Sequence, residues 1–285
     1  MAGVPTNRTN IELPPEVSQE ILQKTQEASA VMQMARQINL PGRGVEIPVI
    51  TSDPQAAWVS ETDAKPVSNP GLEKKVMSAY KLAVIVPFSN EFRRDAAGLY
   101  DALVSRIPGA LATKFDGTVF GAIAAPGSNF DTFASATAQD ISGTNTYAGL
   151  VAADTDIAEN GGILNGFAIS PQGKGVLLSA TDGNDRPLFI NSVSEGAVPM
   201  VLGAKTVISK GAYVAGTPNT VGVAGDWSKA MYGTVEGVVI DYSSDASLVS
   251  GDDTINLFQQ NMFAVRAEIE VGFRADVSVF NKLTA

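Results

Sequence analysis

Cysteine and histidine are both missing from the 285 residues. Without Cys there can be no disulfide, no thiolate nucleophile and no Cys-rich zinc site, whatever the redox compartment. Without His the chain has no ordinary general base near neutral pH, lacks the commonest metal ligand, and cannot supply the middle member of a Ser/His/Asp triad. Basic charge is also scarce: 20 Lys and Arg stand against 30 Asp and Glu, a net charge of −10. Phosphate contacts need clustered cations, and only short pairs such as Arg93-Arg94 occur, so the composition opposes wrapping of nucleic acid. No apolar run reaches the ~18 residues of a membrane span. The opening Met1-Ala2-Gly3-Val4-Pro5 lacks a signal peptide's apolar stretch, so synthesis in the cytosol is expected.

What remains is a globular composition, 45% hydrophobic and only 18% charged, with enough length for one large domain or two modest ones. A lightly charged surface leaves room for buried subunit contacts.

After a polar, Pro-punctuated start, Val17, Ile21, Leu22, Val31 and Met34 fall near helical spacing and predict a helix over 15–37. From Gly42 to Gly71 short extended pieces alternate with Asp-Pro, Lys-Pro and Asn-Pro steps, the pattern of a long protruding β-hairpin. Its second limb, 73–88, ends in Leu82-Ala83-Val84-Ile85-Val86, which reads as a strand entering a buried sheet. Leu99, Leu103, Ile107, Leu111, Phe115 and Val119 recur every four residues and predict a long helix, kinked or restarted at Pro108.

The Gly, Ser, Thr and Asn of 126–145 suggest a mobile loop and a subdomain boundary. A second region follows with helices over 145–159 and 171–179 and strands over 163–169, 198–202, 221–224 and 234–240. The segment 256–280 is expected to return as a strand to the first core, making the second region an insertion.

Most motif matches dissolve on inspection. Ser78-Ala79-Tyr80-Lys81 has Ser-x-x-Lys spacing, but that chemistry needs a helical turn and a strand is expected here. Asp154-x-Asp156 with Glu159-Asn160-Gly161 departs from a calcium loop at its fifth and sixth positions and reads as a helix end. Gly173-Lys174-Gly175 and Gly42-Arg43-Gly44 lack the rest of a phosphate loop or dinucleotide fingerprint and read as turns. Asn7-Arg8-Thr9 is a glycosylation triplet without a secretion signal, and Asp182-Gly183-Asn184-Asp185 and Gly251-Asp252-Asp253 are acidic turns. No cofactor or metal is implied.

The order of elements, with Trp58-Val59-Ser60-Glu61 and Lys65-Pro66 in the hairpin and Lys81 to Glu91 entering the long helix, resembles the major capsid proteins of tailed bacteriophages, the Hong Kong ninety-seven type of fold. Gly166 to Pro171, Leu202 to Val207, Gly225-Asp226-Trp227 and Asn261 to Glu268 fall in the order that family uses. The resemblance implies an α+β fold in four parts: an N-terminal arm and helix (1–42), an extended β-hairpin loop (43–81), a peripheral domain with a long spine helix (82–125 and 256–285), and an inserted axial domain (126–255).

It also implies a shell subunit, not a conventional enzyme, that forms hexamers and pentamers around phage DNA without sequence-specific contacts. Expected partners are a separate scaffolding protein, a portal and a decoration protein, with assembly in the host bacterial cytoplasm and no membrane. Trp58, Glu61, Lys65 and Pro66 are the expected interface residues, Trp58 as anchor, because an aromatic on an exposed hairpin is costly unless a partner covers it.

Some relatives weld the shell by an isopeptide bond, and Lys65, Asn261 and Glu268 match the lysine, asparagine and glutamate of that reaction. The alternative for the same residues is a solvated lysine, a capping asparagine and an ion-paired glutamate. The reaction needs a neutral amine, and neutralising a lysine at pH 7 costs about 4 to 5 kcal/mol, so an apolar pocket would have to help. The nearest rival is an encapsulin-like nanocompartment shell, which packages protein cargo. A rival from another class is a hydrolase using Ser/Lys or paired carboxylates, which would require such groups to meet in one pocket.

Overall fold

The computed structural model describes residues 15–42, 44–52, 58–59, 71–91, 96–181, 186–189, 200–250 and 253–285. Two helices, α1 (Pro15–Ala28) and α2 (Ala30–Met34), replace the single helix expected through Gln37. The break falls at Ser29, whose backbone is extended and whose hydroxyl accepts from Met32 N, an N-cap bond that starts α2 anew. Strand β1 (Arg36–Asn39) then takes Gln37.

Strand β2 (Val45–Ser52) pairs antiparallel with β3 (Gly71–Met77) from Val45↔Met77 to Ser52↔Gly71, the base of the expected hairpin. The second limb breaks at Ser78-Ala79, and β4 (Tyr80–Ser89) begins after it. The run 82–86 is not buried on both sides. It alternates between half-buried and exposed, because β4 turns one face to a core and the other to water. Helix α3 (Ala96–Val119) continues through Pro108 without restarting, and Ile107, Leu111, Phe115 and Val119 of its expected stripe are buried.

The stretch read as a loop, 126–145, contains a 3-10 turn (Phe133–Ser135) and β5 (Thr137–Asp140). Its composition is polar, but Phe130 and Phe133 are buried, and the Phe133 ring stacks on Phe280 at 4.4 Å. Helix α4 (Thr146–Glu159) ends at Asn160 with Gly161 at φ 77°, so the acidic Asp154 to Gly161 segment is a helix end.

Strand β6 (Gly166–Ile169) leads into α5 (Pro171–Ser179), capped by Ser170. Gly173-Lys174-Gly175 lies inside α5 and is no turn; a Cβ on Gly173 would sit 2.5 Å from Val221 O, so its absence lets helix and strand approach. There follow β7 (Met200–Val201), β8 (Ala204–Ile208), β9 (Thr220–Gly225), β10 (Ala230–Thr234), β11 (Val239–Ser243), β12 (Ser247–Ser250), β13 (Asp253–Asn256), β14 (Met262–Ala275) and β15 (Phe280–Thr284). The strand expected over 234–240 is therefore two strand ends with a turn between them.

Two sheets organise these elements. In the first, β14 is central: β4 lies along one edge, β10 and then β11 share the other, and β1 runs parallel outside β10. The second has the order β5-β15-β9-β6-β8-β7. The chain passes from one to the other through Asp276, which caps a 3-10 turn (Val277–Val279) before β15.

Between Val265 and Val271 of β14 burial alternates from residue to residue. Phe263, Val265, Ala267, Ile269, Val271 and Phe273 are buried, and the first four join Ile21, Ile107 and Leu111 in one apolar cluster. Arg266, Glu268 and Glu270 occupy the other face with Lys81 and Asp241, forming ion pairs at 2.5 to 3.3 Å.

Where α2, α3 and the second region meet, Asp116 is wholly buried. No cation pairs with it among the described residues. Its carboxylate accepts from Ser29 Oγ (2.5 Å), Ser209 Oγ (2.7 Å), Ala30 N (2.9 Å) and Val31 N (3.4 Å). Burial raises its pKa above the ordinary aspartate value, against the pull of those four bonds.

A group whose folded pKa is raised binds protons more tightly when folded, so its contribution to stability grows as pH falls toward the ordinary aspartate range and diminishes as pH rises through the folded value. Ser209→Ala is expected to cost about 1.5 to 3 kcal/mol in urea unfolding of the purified protein, because it removes a donor to a charged acceptor. In the same assay wild type should gain on Asp116→Asn as pH is lowered from neutral.

Candidate functional site

The first sheet also fixes the base of the hairpin. Arg274 is nearly buried; its Nε donates to Val76 O at 2.8 Å, Nη2 to Asn129 Oδ1 at 3.0 Å, and Nη1 meets Asp131 Oδ1 at 2.7 Å. Asp131 Oδ2 accepts from Ala275 N. One guanidinium thus joins β3, the 129–131 segment and β14, using the planar fork that a lysine lacks.

Beyond that base, Lys65, Glu61 and Pro66 lie outside the described residues. Trp58 is described and is 105% exposed, so no described residue of its own chain covers it. Val59 beside it is also exposed.

Asn261 stands immediately before β14 at φ 52°, a left-handed backbone that Asn tolerates better than most residues. Its carbonyl oxygen accepts from Asn90 N at 3.0 Å, and its side-chain Oδ1 accepts from Asn90 Nδ2 at 2.8 Å. Glu268 lies on the charged face of β14, opposite Ala83 and Val239, with Oε1 at 3.3 Å from Arg266 Nε. Seven residues separate Asn261 from Glu268, roughly 23 Å of extended chain. One copy therefore does not bring these two residues together, and no single-chain reaction centre exists between them. Arg266 itself is held charged by its hydrogen bond to Asp241 and by the Glu268 carboxylate.

Other exposed apolar residues gather away from the two cores. At one end of the second sheet, Met200 and Leu202 flank the β7–β8 turn, with Ile208 at the end of β8. Leu202 and Gly203 have φ of 48° and 79°, the positive values a two-residue hairpin of this kind requires. Glycine meets that requirement freely; a leucine there is strained, by about 1 to 3 kcal/mol. Tyr147 and Val151 are exposed one turn apart on α4. On the first sheet's side, β12 and β13 form a separate two-stranded hairpin with Val249 exposed, and Phe258 follows it, 79% exposed.

Sequence reading singled out Trp58 and missed Leu202 and Phe258. The Leu-Gly pair between two short apolar runs was the available turn signal for the first; Phe258 sits in a run of mixed character that gives none.

A surface of this kind, with apolar residues held outward and no catalytic group assembled among the described residues, fits a shell subunit, and the comparisons agree. Residues 10–278 match the model of the Phage capsid family. The chain belongs to the phage capsid family. It is 30% identical over 295 residues to the probable major capsid protein gp17 of Mycobacterium phage L5, covering 95% of this chain and 89% of that one. A solved structure from Microbacterium phage Oxtober96 superposes with a TM-score of 0.72 at 21% identity, covering 90% and 91% of the two chains. The capsid of a native gene transfer agent particle, computed with C5 symmetry, gives 0.66 at 15% identity over 100% and 95%.

As a family member this protein is a major head protein, a structural component of the phage capsid and not an enzyme. Neither the nanocompartment nor the hydrolase reading is favoured by these relatives. The Hong Kong ninety-seven type α+β fold is consistent with the neighbouring structures.

The Arg274 junction carries a prediction for this capsid protein. Arg274→Ala should lower the stability of purified capsomers by about 3 kcal/mol in chemical denaturation, since it strands Asp131 in a poorly solvated site. Arg274→Lys should recover little, because one ammonium cannot serve Val76, Asn129 and Asp131 together.

Proposed function

We propose that copies of this chain form the hexamers and pentamers of an icosahedral shell enclosing double-stranded phage DNA. The observation that carries this reading is the outward placement of large apolar residues at separate ends of the molecule: Trp58 on the hairpin, Leu202 at the second sheet, Phe258 beside the first. Exposed separately, each is a cost to the free chain; repeated head-to-tail contacts that close on themselves remove all of them at once. The division into an arm and helix (1–42), extended loop (43–81), peripheral domain (82–125 and 256–285) and axial domain (126–255) belongs to this reading, with Trp58, Glu61, Lys65 and Pro66 contacting a neighbour.

The same reading includes a separate scaffolding protein, a portal, a decoration protein and assembly in the host bacterial cytoplasm. The net charge of −10 supports a shell that contains DNA without gripping its phosphates.

A second reading, covalent welding of the shell, is favoured by one observation. Asn90 Nδ2 donates to the Oδ1 of Asn261, where negative charge would develop if an amine attacked the side-chain carbonyl. In that reaction neutral Lys65 of one copy forms a C–N bond to Asn261 of another. Glu268 takes the amine proton and hands it to the departing side-chain nitrogen, which leaves as ammonia, so the carboxylate is regenerated. Because Asn261 and Glu268 of one chain lie far apart, the glutamate would come from a different copy than the asparagine.

Two experiments test these readings. Negative-stain microscopy with light scattering on the purified chain, alone and with its scaffold, should show capsomer rings or closed shells; a compact monomer under both conditions would overturn the shell reading. On a boiled denaturing gel of mature particles, welding should give ladders that Lys65→Arg, Asn261→Asp and Glu268→Gln each abolish. Monomer alone in wild type would sink the second reading and leave the first intact.

A further inference from the structure

We propose that the cleft between β4, α3 and residues 123–130 is the seat of Trp58 from a second copy of this chain. The cleft has a volume of about 180 Å³, and its walls include Tyr80, Phe115, Ile123 and Phe130 with Lys81 and Lys114. This inference rests on the self-assembly reading above and specifies one contact within it.

The inner wall is aromatic. Tyr80 and Phe115 each meet Phe130 edge-on, with ring centroids at 6.1 and 6.2 Å. Such a wall offers ring edges and faces to one further flat side chain, the arrangement aromatic groups prefer over a face-to-face sandwich. One lysine ammonium completes the lining: Lys114 is exposed and makes no ion pair among the described residues, whereas that of Lys81 is turned to the other face of β4, where it meets Glu270 at 3.3 Å. An ammonium over an aromatic face is attracted by the ring quadrupole, and indole is the best acceptor among the natural side chains. The cavity is therefore apolar at depth and cationic in part of its lining, which suits an indole flanked by acidic residues.

Trp58 answers each requirement. No described residue of its own chain covers it, which leaves it open to a cleft on another copy. Its neighbours in sequence from 53 to 63 include Asp53, Glu61 and Asp63 and no Lys or Arg. In a chain of net charge −10, most pairs of surfaces from two copies repel. An acidic segment facing the unpaired Lys114 is one of the arrangements that attracts. Phe258 is the competing occupant, since it is also exposed and follows the acidic pair Asp252-Asp253. It is less exposed than Trp58 and offers a smaller quadrupole to that lysine.

The absence of cysteine makes the test direct. In a Val59→Cys, Ala124→Cys double variant, Trp58 stays intact while one thiol sits beside it and the other at the exposed Ala124 of the cleft. Particles or capsomers of this variant, checked by microscopy and then oxidised, should give a ladder of dimers and higher species on a non-reducing denaturing gel. Thiol reduction should collapse the ladder to monomer, and adding Trp58→Ala should reduce it at least tenfold.

Assembled particles without a ladder would overturn the inference while leaving self-assembly standing, as would a ladder indifferent to Trp58→Ala. A stronger ladder from Gln259→Cys with Ala124→Cys would give the cleft to Phe258 instead. If wild-type protein forms no assemblies by microscopy, the shell reading fails and this contact fails with it.

Discussion

An aspartate with no exposed surface and no cationic partner should be among the least tolerable groups in a protein, and Asp116 persists because four donors reach it from three directions. Two come from the backbone just after the helix break at Ser29, one from Ser29 itself, and one from Ser209 in the second region. Sliding α2 along α3 would break three of these bonds, and moving the segment that bears Ser209 away from α3 would break the fourth; either leaves a desolvated carboxylate with unmet acceptors. The break between α1 and α2 follows from the same demand: the Ser29 hydroxyl accepts from Met32 N to start α2 while it donates to Asp116. The relation between the two sheets is thus fixed by polar satisfaction as well as by apolar contact, and polar satisfaction is the more exacting in geometry.

Given that fixed relation, β14 can serve two purposes with its two faces. Its odd-numbered residues supply the floor on which α1 and α3 lie, so the long helix is held over the sheet by Ile107 and Leu111 against Phe263 to Ile269. On the other face Arg266, Glu268 and Glu270 form a lattice of charges shared with β4 and β11. Arg274, near the end of the strand, then turns inward and secures the hairpin base through Val76. The base of the hairpin, β2 with β3, therefore stands on a platform held by both apolar and ionic contacts.

The sequence made the regular elements legible where one period dominated. The four-residue recurrence from Leu99 to Val119 marked α3, and the apolar and charged residues of 256–280 were read as a strand returning to the first core, where β14 lies. It concealed elements whose stability comes from afar. Thr137–Asp140 is polar by composition and becomes a strand only because β15, nearly 150 residues later, offers it an edge. Phe130 and Phe133 were the one local hint that this stretch was not a loop. The helix break at Ser29 was likewise hidden, because nothing local announces that its hydroxyl will be needed by Asp116. Of the candidate site, Trp58 was visible as an aromatic stranded among polar and Pro-rich residues. The separation of Asn261 and Glu268 could be measured only once β14 was known to be continuous between them.

Strain and exposure at the outward residues also bear on when the chain assembles. Leu202 in a left-handed turn and Trp58 in water both cost the free subunit stability, and neither cost is recovered within one chain. Net negative charge acts in the same direction as a brake, because copies repel at long range and attract only where a local basic patch meets an acidic segment. Apolar contacts are largely indifferent to salt, whereas the repulsion is screened by it. The balance therefore tips toward association as ionic strength rises, and once several weak contacts form together their effects multiply. A subunit built this way stays dispersed while dilute and commits to its neighbours in groups, which favours closed rings over strings of mispaired dimers.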